Sequence, residues 1–394
     1  MTTPAGPGKS VDSPAPAASE DAGPSVRVIS MRGNDRAAGF SYGAAASAQI
    51  RLSIQRYAAL FAAAGLGDWA DAVRAAARYE APVAAAAPGS LEQMRGIAAG
   101  AGLSLGDILA LNTRSELMFG TPGPAADDGC TSLTVVPERS GNGHALLAQN
   151  WDWTRSAGES VVLLARQPHD RGPGYVTLVE AGLLAKTGVN TAGLGLCTNT
   201  LVSTTDGPRD GVPYHVCLHQ LLQAERVSDG LQFLYTVDRA LSANYLLAHA
   251  DGAALDIETG PGGPSQVGVL TASGGVITHT NHFQVPRLAV TDRRVGESAH
   301  TIVRLDRITR RLALAGDKLT VPDLLEGLSD HANFPLSVCL HPDERKPATQ
   351  QYVTLATVAY DLASGEIWLS VGWPCAGEFT HLDLAELVAG EVSA

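Results

Sequence analysis

GCTSLTVVPERSGNGHALLAQNWDW, residues 129–153, is the stretch that decides the fold. It opens with a Gly-Cys pair and contains two short runs of strand-forming residues, TSLTVV and HALLAQN, separated by a turn segment with Gly, Pro and Asn. The preceding segment, GTPGPAADDG at 120–129, holds Gly, Pro and Asp and predicts an exposed loop. Cys130 therefore stands where a loop enters a strand.

The pattern of residues before Cys130 differs from the pattern after it. Residues 26–129 are Ala-rich with apolar residues at helical spacing, and Ser90 and Ser104 are predicted helix N-caps. Residues 130–394 contain many short β runs, with helices predicted near 212–225, 230–241 and 299–313. This order predicts one α+β structural domain in which stacked sheets are covered by helices.

Composition and charge exclude several classes of function. The 394 residues carry a formal net charge of −12 and no Lys/Arg cluster, so a nucleic acid partner is not expected. No apolar run approaches the roughly 18 residues of a membrane-spanning helix, so no membrane association is expected either. Residues 1–25 are rich in Pro, Ala, Ser and Gly, which predicts a disordered tail without the apolar region of a secretory signal, and hence a cytoplasmic protein.

The cysteines and histidines give no recognisable metal pattern. The five cysteines are an odd number, are widely spaced and form no CxxC pair, which favours reduced thiols over disulfides or a zinc site. His215 and His219 lie four apart on a predicted helix, but neither an intervening Glu nor a third ligand is evident. We therefore expect no metal and no cofactor.

Three motifs occur in an order that marks a known family. They are Gly129-Cys130-Thr131, Gln149-Asn150-Trp151-Asp152, and HTNHF at 279–283. Together with the preceding helical segment LEQMRGIAAGAGLSLGDILALNTRSEL, they resemble the acyl-coenzyme A:6-aminopenicillanic acid acyltransferase family, peptidase family C45. The resemblance implies the four-layer αββα fold of N-terminal-nucleophile hydrolases. It also implies an inactive precursor that is cut between Gly129 and Cys130 into an α chain, 1–129, paired with a β chain, 130–394.

The residue types at the predicted cleavage site suit this chemistry. The Cys130 thiol can attack the Gly129 carbonyl in an N→S acyl shift, and water can then hydrolyse the thioester. Gly129 has no Cβ and permits a close, strained approach to its own carbonyl. Cleavage gives Cys130 a free α-amine, whose ordinary pKa of about 7.7–8.0 lies close to that of a thiol, about 8.5. One residue then supplies both nucleophile and base.

The resemblance also implies the supporting residues. Asp152 is expected beside the new N-terminus, where it would hydrogen-bond the amine and tune its pKa. Asn281, after a predicted strand, is a candidate donor to the tetrahedral oxyanion. Asn199, on a polar loop predicted to follow the strand in VNTAGLGLCTNT, is a weaker oxyanion candidate. Arg304 is a candidate for holding the charge of the nucleophile or orienting Asp152, although a solvated helix arginine fits the sequence equally well.

Three further residues are expected near the substrate. Trp151 and Trp153 flank Asp152 and are interpreted either as pocket walls or as core residues. His282 follows Asn281 directly, but the α-amine of Cys130 already fills the role of general base. We therefore assign these three side chains to substrate binding only.

The sequence leaves the reaction partly open. The favoured function is hydrolysis of a linear amide, such as an N-acyl amino acid, a β-alanyl amine or a peptide-like natural product, through a Cys130 thioester. The alternatives are acyl transfer from a coenzyme A thioester or an amide to an amine, a papain-like thiol protease with a separate His base, and a non-catalytic binding relative. Whether the chain forms a homo-oligomer is left open.

Overall fold

A computed structural model describes residues 26–120, 129–168, 172–286, 288, 290–347 and 350–391. The predicted tail 1–25 lies outside the described residues, as do residues 121–128 of the predicted loop. Gly120 and Gly129, at the two ends of that loop, are buried rather than exposed. The predicted cleavage site is therefore an interior site at the entry to the first strand after the loop.

All but one of the described strands lie at or after Cys130. In chain order they are β1 (Arg27–Met31), β2 (Cys130–Val135), β3 (Leu146–Thr154), β4 (Val161–Arg166), β5 (Tyr175–Glu180), β6 (Thr187–Asn190), β7 (Leu194–Thr200), β8 (Ala243–His249), β9 (Ala254–Thr259), β10 (Val267–Leu270), β11 (Val276–His279), β12 (Tyr352–Asp361), β13 (Glu366–Val371) and β14 (Thr380–Asp383).

The described helices lie before Cys130 and between groups of strands. In chain order they are α1 (Asp35–Ala45), α2 (Ser47–Ala63), α3 (Trp69–Ala76), α4 (Glu80–Ala86), α5 (Pro88–Ala101), α6 (Leu105–Asn112), α7 (Arg114–Phe119), α8 (Tyr214–Leu222), α9 (Val227–Thr236), α10 (Arg294–Glu297), α11 (His300–Leu314), α12 (Val321–Leu328) and α13 (Leu384–Ala389). None of them is long and apolar enough to cross a membrane.

The strands form two sheets that pack face to face. One has eight strands in the order β1-β4-β5-β6-β7-β8-β9-β10, and the other has six in the order β11-β2-β3-β12-β13-β14. β2 and β3 contact β7 across the interface between the sheets. Helices α8 and α9 pack on the larger sheet, and α11 and α12 on the smaller one. The predicted αββα sandwich is confirmed.

β2 and β3 are buried on both faces, because helices α11 and α12 pack against one face and the larger sheet packs against the other. Leu133 and Val135 join a small apolar cluster with Ile308 of α11 and Leu328 of α12. The alternate side chains of β2 point towards the larger sheet, as shown by the hydrogen bond from Ser132 to Asn199 of β7. Both faces of β2 are therefore buried, although Ser132 and Thr134 on the face towards the larger sheet are polar.

The segment before Gly129 is part of the same sandwich. β1 pairs in parallel with β4, so the N-terminal part contributes an edge strand as well as helices. The sequence missed this strand. The main apolar core includes Tyr57 and Phe61 from before the predicted cut and Leu178 and Leu247 from after it. The two predicted chains therefore share one core.

Two local predictions are wrong. Ser90 is not an N-cap, because α5 begins at Pro88, a residue that tolerates the first helical turn, and the Ser90 hydroxyl instead bonds His219. VNTAGLGLCTNT is not a strand and a loop but the hairpin of β6 and β7, which places Asn199 inside a strand. The capping prediction at Ser104 is confirmed, since its side chain and Asp107 form a reciprocal capping box.

Candidate active site

The predicted nucleophile lies at the first position of β2 and is buried, with 2% of its surface exposed. Cys130 is paired in register with Trp151 of β3, and the Gly129 carbonyl accepts a hydrogen bond from the backbone amide of Asp152 at 3.0 Å. The antiparallel pairing of β2 and β3 therefore fixes Asp152 beside the bond between Gly129 and Cys130. The same Asp152 amide is a donor that points at the carbonyl the thiol would attack.

Asn281 contacts the nitrogen of Cys130. It follows β11, which pairs with β2, and its Oδ1 accepts a hydrogen bond from the Cys130 backbone N–H at 2.8 Å. Its Nδ2 donates to the Thr200 carbonyl at 3.1 Å. The amide thus presents its oxygen to the Cys130 nitrogen, and the oxyanion role remains a prediction.

Arg304 is a buried residue of α11 that reaches into the site. Its Nη1 donates to the Cys130 carbonyl at 2.7 Å, and its Nη2 donates to Asn281 Oδ1 at 2.8 Å. Arg307 and Arg310 of the same helix pair with acidic residues nearer the surface. The interpretation of Arg304 as a solvated helix arginine is therefore wrong.

Asn199 lies on β7 of the larger sheet and also bonds the Cys130 carbonyl. Its Nδ2 donates to the Cys130 carbonyl at 3.0 Å, and its Oδ1 accepts a hydrogen bond of 2.5 Å from Ser132. Together with Arg304, it fixes the backbone on the C-terminal side of the sulfur. All five predicted catalytic residues therefore lie within one cluster of contacts.

Only one of the two carboxylate oxygens of Asp152 has a hydrogen-bond partner among the described residues. Thr354 of β12 donates to its Oδ1 at 2.6 Å, while its Oδ2 is buried without a hydrogen-bond partner. Burial raises the pKa of Asp152 to about 6, although the charge of Arg304 and the Thr354 hydrogen bond oppose this. At neutral pH Asp152 is therefore a buried carboxylate with one oxygen free to accept a proton.

Gly129 is required here by space rather than by an unusual backbone angle, since its φ lies outside the left-handed range. A Cβ on this residue would lie 2.9 Å from Arg304 Nη2 and 3.0 Å from Asp152 Oδ2. The absent side chain thus lets the predicted scissile bond lie directly against both groups. The sequence argument from backbone strain is replaced by one from close approach.

Electrostatics leave the Cys130 thiol protonated. Burial raises the pKa of the thiol, whereas the charges of Lys186 and Arg304 and a backbone hydrogen bond from Asp152 lower it. A thiol in this setting needs a base to become a nucleophile.

The sequence missed Lys186, whose ammonium lies 4.9 Å from the Trp151 ring centroid. Burial lowers the pKa of Lys186 and the nearby Cys130 raises it. The available signal was a lysine inside an apolar run, GLLAKTGVN, because lysine is seldom fully buried without a function. Thr354 is the other residue that was missed; it lies 202 positions after Asp152, and nothing in its local sequence marks it.

The three predicted substrate-binding side chains are placed as follows. Trp151 lies on β3 beneath Lys186, and Trp153 lies between Arg114 and the edge of Tyr352. Both indoles are buried core residues.

His282 is half-buried, with Nδ1 3.0 Å from Thr301 Oγ1. Burial lowers its pKa to about 4, so it is neutral at physiological pH. Contact of these three side chains with a substrate remains a prediction.

The predicted histidine pair is not a metal centre. His219 bonds Ser90 through Nδ1 and Tyr175 through Nε2, and His215 Nδ1 bonds the Ala185 carbonyl. These protein partners occupy three of the four ring nitrogens.

Comparison with known proteins shows the family of the chain. The profile of the acyl-coenzyme A:6-aminopenicillanic acid acyl-transferase family matches residues 139–375, more than half of the chain, and the chain belongs to this family. The match includes Asp152, Asn199, Asn281 and Arg304 and begins after Cys130. The chain is 25% identical to the 40 kDa form of acyl-coenzyme A:6-aminopenicillanic-acid-acyltransferase of Emericella nidulans, over 88% of this chain and 92% of that protein.

Two solved structures are similar to part of the chain. One is an N-acylethanolamine-hydrolyzing acid amidase ortholog of Caenorhabditis elegans, with a TM-score of 0.43 and 12% identity over 59% of this chain and 93% of that one. The other is a mutant conjugated bile acid hydrolase of Clostridium perfringens, with a TM-score of 0.46 and 13% identity over 66% of this chain and 94% of that one.

Proposed function

We propose that the chain is a self-processing N-terminal-nucleophile amidohydrolase that cuts the bond between Gly129 and Cys130 and then uses Cys130 to cleave a linear amide. The observation that carries this proposal is the unpartnered Oδ2 of Asp152. It lies against Gly129, and its charge acts on the Cys130 thiol, which burial keeps protonated. A carboxylate whose pKa is about 6 can accept a proton from such a thiol at neutral pH.

These contacts support the following route for self-cleavage. The Cys130 proton passes to Asp152 Oδ2, and the sulfur attacks the Gly129 carbonyl carbon. The Asp152 backbone N–H, already 3.0 Å from the Gly129 oxygen, stabilises the developing negative charge. The Gly129–Cys130 C–N bond then breaks, and the Cys130 nitrogen receives the proton. Water hydrolyses the resulting thioester, which leaves a carboxylate on Gly129 and a free thiol and α-amine on Cys130.

The same groups serve the processed enzyme. The Cys130 nitrogen already bonds Asn281 Oδ1, so the new α-amine has an acceptor that orients it. Arg304 and Asn199 hold the Cys130 carbonyl and keep the sulfur in place. The acyl part of a substrate takes the position that Gly129 occupies in the uncut chain, since both are attacked at a carbonyl carbon by the same sulfur.

Acyl transfer is the second candidate, because the curated relative with 25% identity is an acyltransferase by name. Hydrolysis and acyl transfer share the Cys130 thioester and differ in whether water or an amine attacks it. We favour hydrolysis because the chain carries a net charge of −12 and lacks a basic cluster for the phosphates of coenzyme A.

The test is to trap the acyl-enzyme. Processed protein is mixed with a panel of N-acyl amino acids, β-alanyl amines and acyl-coenzyme A thioesters, quenched in acid, and the acyl group is located by peptide mass spectrometry. We expect acylation of Cys130 by an amide, with release of the free acid. Product formation on an added amine would establish acyl transfer instead. Turnover without acylation of Cys130 would contradict both.

A further inference from the structure

A second cluster of reactive side chains lies outside the nucleophile site. His331, Cys339 and His341 come from the segment after α12, and Cys375 comes from the turn after β13. One ligand atom from each residue lies within 4.8 Å of the others. The segment and the turn are far apart in sequence, which is why no CxxC or similar pattern announces the cluster.

The distances fit one tetrahedral ion. His331 Nε2 and His341 Nε2 are 3.1 Å apart, and His341 Nε2 is 3.4 Å from Cys339 Sγ and 3.6 Å from Cys375 Sγ. A tetrahedral zinc with bonds of about 2.3 Å to sulfur and 2.0–2.1 Å to nitrogen separates two nitrogens by about 3.3 Å, and a nitrogen and a sulfur by about 3.6 Å. The three distances from His341 Nε2 thus match those between the ligands of a closed Cys2His2 site, and all four ligand atoms lie within 4.8 Å of one another.

The surroundings hold the ligands in place. The indole of Trp373 stacks on His341 with 4.7 Å between ring centroids. The Cys339 backbone N–H donates to the Asp330 carbonyl at 3.0 Å, and the Ser337 hydroxyl donates to the Cys339 carbonyl at 2.6 Å. A site whose ligands are already positioned loses little conformational entropy when the ion binds.

We propose that His331, Cys339, His341 and Cys375 bind one structural Zn²⁺ ion. Two thiolates and two neutral imidazoles are the ligand set of closed tetrahedral zinc sites, and two thiolates balance the charge of the ion. Binding releases the two cysteine protons to solvent. Because all four positions are filled by protein, the ion has no place for a reacting water and its role is structural.

The ion would also support the nucleophile site. Leu340, between two of the ligands, donates its N–H to Thr354 Oγ1 at 2.9 Å, and Thr354 donates to Asp152 Oδ1 at 2.6 Å. Asn150, two residues before Asp152, donates to the Val338 carbonyl at 3.0 Å. The metal thus fixes a segment that orients the candidate proton acceptor, and Thr354 is a positioning residue.

Metal analysis of the full chain tests this. The protein is expressed with added zinc in the Cys130→Ala background, so that the result does not depend on self-cleavage, and metal is measured by inductively coupled plasma mass spectrometry. We expect ~1 zinc per chain. Cys375→Ser and His331→Ala should each lower zinc affinity at least about tenfold. The controls Cys217→Ala and His381→Ala, at a thiol and an imidazole outside the cluster, should retain the metal.

A second measurement keeps the test decisive if a ligand variant fails to fold. The protein is prepared with Co²⁺ in place of zinc, and tetrahedral sulfur and nitrogen ligation should appear as strong visible absorption that added zinc abolishes. Zinc-edge X-ray absorption should show two sulfurs at about 2.3 Å and two nitrogens at about 2.0–2.1 Å. A wild-type chain without zinc, zinc that persists in both ligand variants, or a Cys339–Cys375 disulfide in protein purified anaerobically would overturn the proposal.

Discussion

Two buried carboxylates in this sandwich are held in different ways. Glu180 of β5 accepts hydrogen bonds from Tyr57 on both oxygens and a further one from the guanidinium of Arg114 at 2.9 Å. Asp152 of β3 accepts one from Thr354 and leaves its second oxygen without a partner. Both oxygens of Glu180 therefore accept hydrogen bonds from core side chains, whereas the protein keeps Asp152 at a cost in stability and with capacity to take a proton.

The two arginines show the same contrast. Arg114 binds the Glu180 carboxylate directly and lies over the rings of Tyr57 and Trp153. Arg304 instead donates to the Cys130 carbonyl and to Asn281, and it acts on Asp152 through its charge. Equal burial therefore says little about function, and the two arginines differ in the groups that they contact.

The largest expected effect is on self-cleavage in Asp152→Asn. The amide cannot accept the thiol proton, and loss of a general base typically slows a reaction 10²–10⁴-fold. The cleavage half-time of purified precursor, followed by gel densitometry, should lengthen by at least about 100-fold. Cleavage at the wild-type rate would show that another group takes the proton.

The next largest effect is a difference in protein stability between variants of the two carboxylates. In the Cys130→Ala background, Glu180→Gln should lower the free energy of unfolding by about 3–5 kcal/mol, because it leaves Arg114 as an unpaired buried charge. Asp152→Asn should cost less than about 1 kcal/mol, because the folded state already disfavours the Asp152 charge.

Denaturant titration of both variants gives these values. The comparison of the two carboxylates fails if the two substitutions destabilise the protein equally.

Replacement of Gly129 should have a smaller effect. In Gly129→Ala the new methyl group would lie about 3 Å from Arg304 Nη2 and Asp152 Oδ2, so both side chains must shift. Since small displacements of reacting groups are costly, we expect cleavage to slow by about 10- to 100-fold. Gly207→Ala is a matched control, at a glycine whose added Cβ would meet no atom within 4 Å and whose φ also lies outside the left-handed range. Equal cleavage rates for the two variants would show that the close approach of Arg304 and Asp152 to Gly129 does not matter for cleavage.

The smallest effect is the pH dependence of self-cleavage. The pKa of Asp152 is raised to about 6 by burial, and only its deprotonated form accepts the thiol proton. The rate should therefore fall as pH falls through 6, and should be about tenfold lower at pH 5 than at pH 7. Rapid-quench measurements of the self-cleavage rate between pH 5 and pH 7 test the direction of this pH dependence. The residual cleavage rate of Asp152→Asn should not show this fall near pH 6.

Much of the site could be predicted because its parts are close in sequence or lie in recognisable motifs. Cys130 and Asp152 stand on paired neighbouring strands, so a turn between two β runs is enough to bring them together. Arg304 was ambiguous, because its helix alone does not reveal that this one position reaches Cys130. The hairpin containing Asn199 was misread because polar Asn and Thr residues within a buried strand resemble a loop.

The remaining features depend on contacts between distant segments. Thr354 and the four residues of the proposed zinc site come together only when β12 and β13 pack beside β3. Lone Cys and His residues at such separations carry no periodic signal that a sequence argument can use. The parallel strand β1 was missed for a similar reason, since its partner β4 lies more than 130 residues further along the chain.

The most direct test of the account is the state of the bond before Cys130. Purified wild-type protein is examined by intact-mass spectrometry and by N-terminal sequencing, beside Cys130→Ala. We predict two fragments for the wild type, with Cys130 as the first residue of the larger one, and a single 40.9 kDa chain for the variant. An uncut wild-type chain that still turns over an amide, or a Cys130→Ala chain cut at the same place, would contradict it.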